Sequence, residues 1–111
     1  MLYLDFTAGN NAYKLRLNTR AVIALEKAIG CSPLAIFGDG STIPTVSTMV
    51  QILHAALQPY EHNITLEKAY DIFDSYIEDG NTPIDFIKVI IELYKVSGIL
   101  KLDEEVTAKN A

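Results

Sequence analysis

The chain has 111 residues, of which nine are Lys or Arg and fourteen Asp or Glu, a net charge of −5. That length is one domain's worth, half of it apolar and a fifth charged, which excludes wholesale disorder. An acidic chain has no electrostatic footprint for phosphate backbones or anionic membranes, so neither nucleic acid nor membrane is expected as a partner.

The single Cys cannot make an internal disulfide, and a reducing, cytoplasmic setting is expected. The start, Met1-Leu2-Tyr3-Leu4-Asp5, has neither the basic nor the long apolar region of a signal peptide. The longest apolar zone, from Pro83 to Leu102, is interrupted by Asp85, Lys88, Glu92, Lys95 and Lys101, too many charges for a membrane span.

In chain order, the first element reads as a β-hairpin over residues 2–17. Leu2, Leu4 and Phe6 alternate with polar neighbours, as do Tyr13, Leu15 and Leu17, and Thr7 to Ala12 holds the turn residues. A two-stranded ribbon is marginal alone and must lie on something. Asn18 or Thr19 caps a helix with Ala21, Val22, Leu25, Ala28 and Ile29 inward, and Gly30 ends it. Ser32-Pro33 starts a short helix through Phe37, and Asp39 to Pro44 is loop.

A helix after Thr45 carries Val46, Met49, Val50, Leu53 and Leu57 on its apolar stripe and stops at Pro59. Asn63 or Thr65 caps the next, with Leu66, Ala69, Tyr70, Phe73, Tyr76 and Ile77 inward and Gly80 at the close. Thr82-Pro83-Ile84-Asp85 opens a last helix, apolar nearly all round except for Asp85, Lys88, Glu92 and Lys95. Such a helix is central to the core or part of an interface, and self-association is compatible with it. The expected fold is mainly α with a small N-terminal hairpin (α+β), a compact bundle of four to five helices, one of them short. It forms one domain over residues 1–102, with 103–111 a polar tail expected to fray.

Catalytic patterns are scarce. His54 shares a helix face with Ser47, Gln51 and Gln58, which reads as surface, and His62 follows the Pro59 break. Their spacing matches no zinc site, and neither metal nor cofactor is expected. Cys31 follows a helix C-terminus, where the dipole disfavours a thiolate, and is expected to be a small buried hydrophobe. Gly38-Asp39-Gly40-Ser41 lacks the Lys of a phosphate loop. A calcium loop centred on Gly80 would need ligands at Ser75, Ile77 and Phe86, and two of those cannot coordinate. The helices after Gly30 and Gly80 offer too few basic residues for a DNA-reading helix-turn-helix.

The carboxylates are better ordered. Glu67, Asp71, Asp74 and Glu78 fall at i, i+4, i+7 and i+11 on one helix face. The like-charge pairs one turn apart each cost about 0.2–0.5 kcal/mol of helix stability. The plain reading is a solvated face; the functional one is a docking strip for a basic partner. Ile99, Leu100 and Leu102 form a second candidate patch, or else close the core. Of the tyrosines, Tyr70 and Tyr76 are expected in the core.

The order of these pieces resembles the tail assembly chaperones of long-tailed bacteriophages and prophages. The strand Tyr13–Leu17 leads to Ala21-Val22-Ile23-Ala24-Leu25-Glu26-Lys27, similar to that family's "Ala-x-x-x-Leu-Glu-Lys" helix ending in Gly. Ser32-Pro33-Leu34 is similar to its short "Asn/Ser-Pro-Leu" helix, and Ile52-Leu53-His54-Ala55-Ala56-Leu57 to its "Ile-Leu-x-Ala-Ala-Leu". Ile64-Thr65-Leu66-Glu67 and the closing Ser97-Gly98-Ile99-Leu100 complete the likeness, which covers about residues 1–102.

The resemblance implies binding without catalysis: a protein that coats the long, helical tape-measure protein in the host cytoplasm until tail-tube subunits polymerise. It then leaves and is absent from the mature virion. A frameshifted longer form of the same chain is a further implied partner. The competing expectations are a structural phage component such as a head–tail joining protein, and a small enzyme or metal protein with a polar pocket around His54 or His62.

Overall fold

The computed structural model describes residues 3–38, 40 and 43–101. Leu2, the loop positions Asp39, Ser41 and Thr42, Leu102 and the tail 103–111 lie outside the described residues. The architecture is the expected one, α+β, with four α-helices behind an N-terminal antiparallel hairpin.

Strands β1 (Leu4–Ala8) and β2 (Asn11–Leu15) pair from Leu4 opposite Leu15 to Ala8 opposite Asn11. The turn is therefore the two residues Gly9-Asn10, and Thr7, Ala8, Asn11 and Ala12, expected in the loop, extend the strands. Gly9 at φ 63° supplies the left-handed corner that a two-residue hairpin needs to follow the strand twist. Its N–H donates to Asp79 Oδ2 at 2.7 Å, which pins the turn to the far end of the helical layer. Phe6, Ala8, Leu15 and Leu17 are buried beneath the ribbon.

Beyond β2, the Arg16 N–H donates to the Ala56 carbonyl at 3.0 Å and the Leu17 N–H to Ser97 Oγ at 2.9 Å. Helix α1 (Thr19–Ile29) then starts, capped by Asn18, whose Oδ1 accepts from the Ala21 N–H at 2.9 Å. Gly30, at φ 78°, ends it. Ala21 and Leu25 are buried and Val22 and Ile29 half-buried, but Ala28, expected inward, is exposed. The short segment Pro33–Phe37 is a 3-10 turn with Pro33 buried. The Tyr94 hydroxyl donates to the Pro33 carbonyl at 2.9 Å, across 61 positions of sequence.

Helix α2 (Val46–Leu57), capped by Thr45, buries Met49, Val50, Ile52, Leu53, Ala55, Ala56 and Leu57. It packs on α1, β2 and the two later helices, α3 (Leu66–Glu78) and α4 (Pro83–Val96). Val46, expected in its stripe, is 48% exposed because the first turn projects past the edge of the core. In α3, capped by Thr65, the buried face is Ala69, Ile72, Phe73 and Tyr76. Tyr70 was expected in this face and is 44% exposed. One residue on from Ala69 is about 100° round the helix, so Ile72 takes the inward place. Asn63 is left-handed at φ 64° and turns the chain rather than capping it.

Helix α4 has a full capping box: Asp85 N–H to Thr82 Oγ1 at 3.2 Å and Thr82 N–H to Asp85 Oδ2 at 2.9 Å. It buries one stripe, Phe86, Ile90, Leu93 and Tyr94, and leaves Ile84 55% exposed. The most enclosed helix is therefore α2, because α4 has the core on one side only. Phe6, Phe73, Tyr76 and Phe86 form an aromatic knot between β1, α3 and α4, with ring centroids 5.2–6.1 Å apart. Among the described residues no helix is long and apolar enough to cross a membrane.

Two tyrosines tie this core to pH. Burial, with the Asp85 charge a lesser cause, pushes the Tyr76 phenol above its ordinary 10.0. Burial, with Cys31 a lesser cause, pushes Tyr94 higher still. Above pH 10 the unfolded chain releases these protons while the folded chain keeps them, so stability must fall as pH rises past 10. Melting followed by circular dichroism between pH 8 and 11.5 should show a flat stretch, then a steep fall. Tyr94→Phe should make the fall shallower and lower stability at neutral pH by about 1 kcal/mol, through loss of the bond to Pro33.

Candidate functional site

The sequence singled out two surfaces. Glu67, Asp71, Asp74 and Glu78 are all exposed on α3, and none forms an ion pair with another described residue. They make a strip of solvated negative charge with the exposed ring of Tyr70 beside it. Ile99 and Leu100 are half-buried and lie against the core, both of their N–H groups donating to the Tyr94 carbonyl at 2.8 and 3.2 Å. They cover the end of α4 more than they form a free patch, and Leu102 lies outside the described residues.

A third surface is a groove of about 570 Å³ between α1, α2 and the loop that joins α2 to α3. That volume lies in the range of about 300–1,000 Å³ typical of ligand sites. Its α1 wall is Ala21, Ala24, Leu25 and Ala28; its α2 wall is Gln51, His54, Ala55 and Gln58; Pro59, His62, Asn63 and Leu66 close one side. Asn18 and Arg20 stand at the start of α1. Among the described residues no carboxylate lines the groove, and the Arg20 side chain has no ion-pair or hydrogen-bond partner.

The groove brings together His54 and His62, which the sequence placed on either side of a proline break. His54, expected as a plain surface residue, is half-buried and tied down. Its Nε2 lies 2.9 Å from the Ile64 carbonyl and 2.8 Å from Gln58 Nε2, which itself donates to Ile64 O at 2.9 Å. With the imidazole proton on Nδ1, the two hydrogens of the Gln58 amide serve both acceptors. Gln58 thereby fastens the α2–α3 loop through Ile64, with His54 holding the Gln58 amide in place, and His62 stands exposed on the rim. Cys31 is exposed and not buried, because the link from Gly30 to Ser32 runs over the surface and Pro33 fills the space beneath. Among the described residues no three His, Cys, Asp or Glu side chains are grouped to hold a metal.

In the sequence a pocket around His54 or His62 stands only as the expectation for a small enzyme or metal protein, and nothing there shows that α1 forms the other wall of this groove. Its trace was present in Ala21, Ala24 and Ala28, at i, i+3 and i+7, facing Gln51, His54, Ala55 and Gln58, at i, i+3, i+4 and i+7. A small-residue face on one helix and a polar one on another become a groove only once the two helices are side by side.

The family model that matches the chain, described as "Family of unknown function (DUF6096)", covers residues 5–111, and the chain belongs to that family. Searches of curated proteins and of solved structures returned no match.

If the His54–Gln58–Ile64 arrangement fastens the loop, Gln58→Ala should cost about 1 kcal/mol in denaturant unfolding. Amide hydrogen exchange should then speed up over residues 60–65 while the aromatic knot stays protected. Unchanged exchange in the loop would show that the helix ends hold it by themselves.

Proposed function

We propose that this member of the family is a tail assembly chaperone of a long-tailed bacteriophage or prophage, which binds the tape-measure protein and keeps it soluble by reversible contact, without catalysis or cofactor. The observation that carries this reading is the α1–α2 groove, an apolar floor with a polar rim and a small extent. A chaperone must grip its client and later surrender it, which calls for modest apolar surface in place of one large permanent interface. The ordered resemblance of residues 13–37, 44–57, 63–74 and 87–100 to that family supports the same reading. The carboxylate strip of α3 adds a field that steers basic stretches of a client onto the protein.

On this reading the protein acts in the host cytoplasm, is displaced as tail-tube subunits polymerise, and is absent from mature particles. A longer frameshifted form of the chain and further copies of itself are companion partners.

Co-expression of the tagged protein with the tail genes, followed by pull-down and mass spectrometry, tests this directly. Recovery of a very long, helix-rich tail protein in excess over capsid components, with none of the chaperone in purified particles, is the expected result. Replacing Glu67, Asp71, Asp74 and Glu78 by Gln or Asn should reduce that recovery while the fold survives. Recovery of portal or connector proteins alone, with the chain retained in particles, would make it a head–tail joining component instead.

A further inference from the structure

We propose that the α1–α2 groove seats a single amphipathic helix of a partner protein whose small apolar stripe is edged by carboxylates; this deepens the binding reading above and rests on it. Length fits first: the groove runs beside α1 from its cap Asn18 to Ala28, ten residues on, roughly 15 Å or nearly three helical turns. The floor fits next. Ala21, Ala24 and Ala28 of α1 and Ala55 of α2 present only methyl groups, so a third helix axis can approach to about 8 Å, the close end of helix packing.

Charge then selects among helices. Among the described residues no carboxylate lines the groove, whereas the Arg20 side chain is exposed at its edge and has no partner. A guanidinium so placed favours a carboxylate, which it can meet with two parallel hydrogen bonds. A lysine-edged helix would instead face Arg20 and be drawn to the strip on α3.

The test uses the full chain and two fluorescein-labelled synthetic helical peptides of about four turns. They share one Ala/Leu stripe, edged with Glu in one and with Lys in the other. Anisotropy titrations should show the Glu-edged peptide binding at least about threefold tighter than the Lys-edged one. Ala24→Trp should abolish that binding by filling the floor, and Arg20→Glu should remove or reverse the preference. Both positions are exposed, so circular dichroism and melting should match the parent chain.

Equal or tighter binding of the Lys-edged peptide, binding unaffected by Ala24→Trp, or no binding of either peptide would each overturn the proposal. So would saturable binding of anilinonaphthalene sulfonate, blocked by Ala24→Trp, where neither peptide competes; that outcome makes the groove a small-molecule site. Capture of the long tail protein by the parent chain and by Ala24→Trp alike leaves the chaperone reading in place and removes the groove from it.

Discussion

Helix α2 buries seven of its twelve side chains and is touched by α1, α3, α4 and β2. A helix so enclosed must have its polar ends and neighbours arranged around it, and several details follow from that demand. Ala55 and Ala56 keep its C-terminal half slim, and the Arg16 N–H reaches the Ala56 carbonyl, one of the last-turn acceptors that the helix cannot satisfy itself. The hairpin is thereby strapped to the core by its exit as well as by Phe6 and Leu15. Past its exposed first turn, α2 keeps one half-covered row among the described residues, Gln51 and His54 with Gln58 at its end, which the sequence makes polar. That row is the groove wall.

Local chemistry was legible residue by residue. Asn18, Thr45, Thr65 and Thr82 cap the four helices by accepting the N–H groups that each helix start leaves free. Such signals are read within four residues, and so survive without tertiary knowledge. The errors arose where a choice depended on neighbours far along the chain. Tyr70 and Ile72 are both apolar enough to face inward, and the ring contacts of Phe73 and Tyr76 with Phe6 and Phe86 set the rotation of α3 that buries Ile72. The turn of the hairpin looked long because Asn and Gly are frequent in it, yet pairing continues to Ala8 and Asn11 and leaves Gly9-Asn10 alone to turn, with Asp79 holding the Gly9 N–H. Cys31 looked core-like by residue type, but its position between a helix end and a buried proline puts it outside.

The candidate site was less legible for a related reason. The carboxylate strip lies on one helix and is visible as a spacing. The groove sets α1 against α2 and the loop that follows it, with more than twenty residues between Ala28 and Gln51, and its floor is largely alanine, the residue that says least about position. The two surfaces differ in local charge and adjoin in sequence. Leu66 closes the groove, and Glu67, the next residue, opens the negative strip. A helix that overran the groove at Leu66 would pass from the neighbourhood of Arg20 toward carboxylates, and the chain that follows it would gain by being basic.

On the proposed chaperone reading, this arrangement sets how a client is held and released. A three-turn helix on an alanine floor buries well under the roughly 1,200 Å² of small specific interfaces. Much of the attraction is then exposed charge, worth about 1 kcal/mol or less per pair and weakened by salt. Single contacts of that strength dissociate readily, which is of no use to a protein that must keep a soluble partner bound by itself. On a long client with repeated helical segments the balance changes, because many copies act together and occupancy is set by the number of sites. A polymerising subunit that takes the segments one at a time then never has to break more than one weak contact. On the proposed reading, the shallowness of the groove is therefore what makes displacement possible without an energy source.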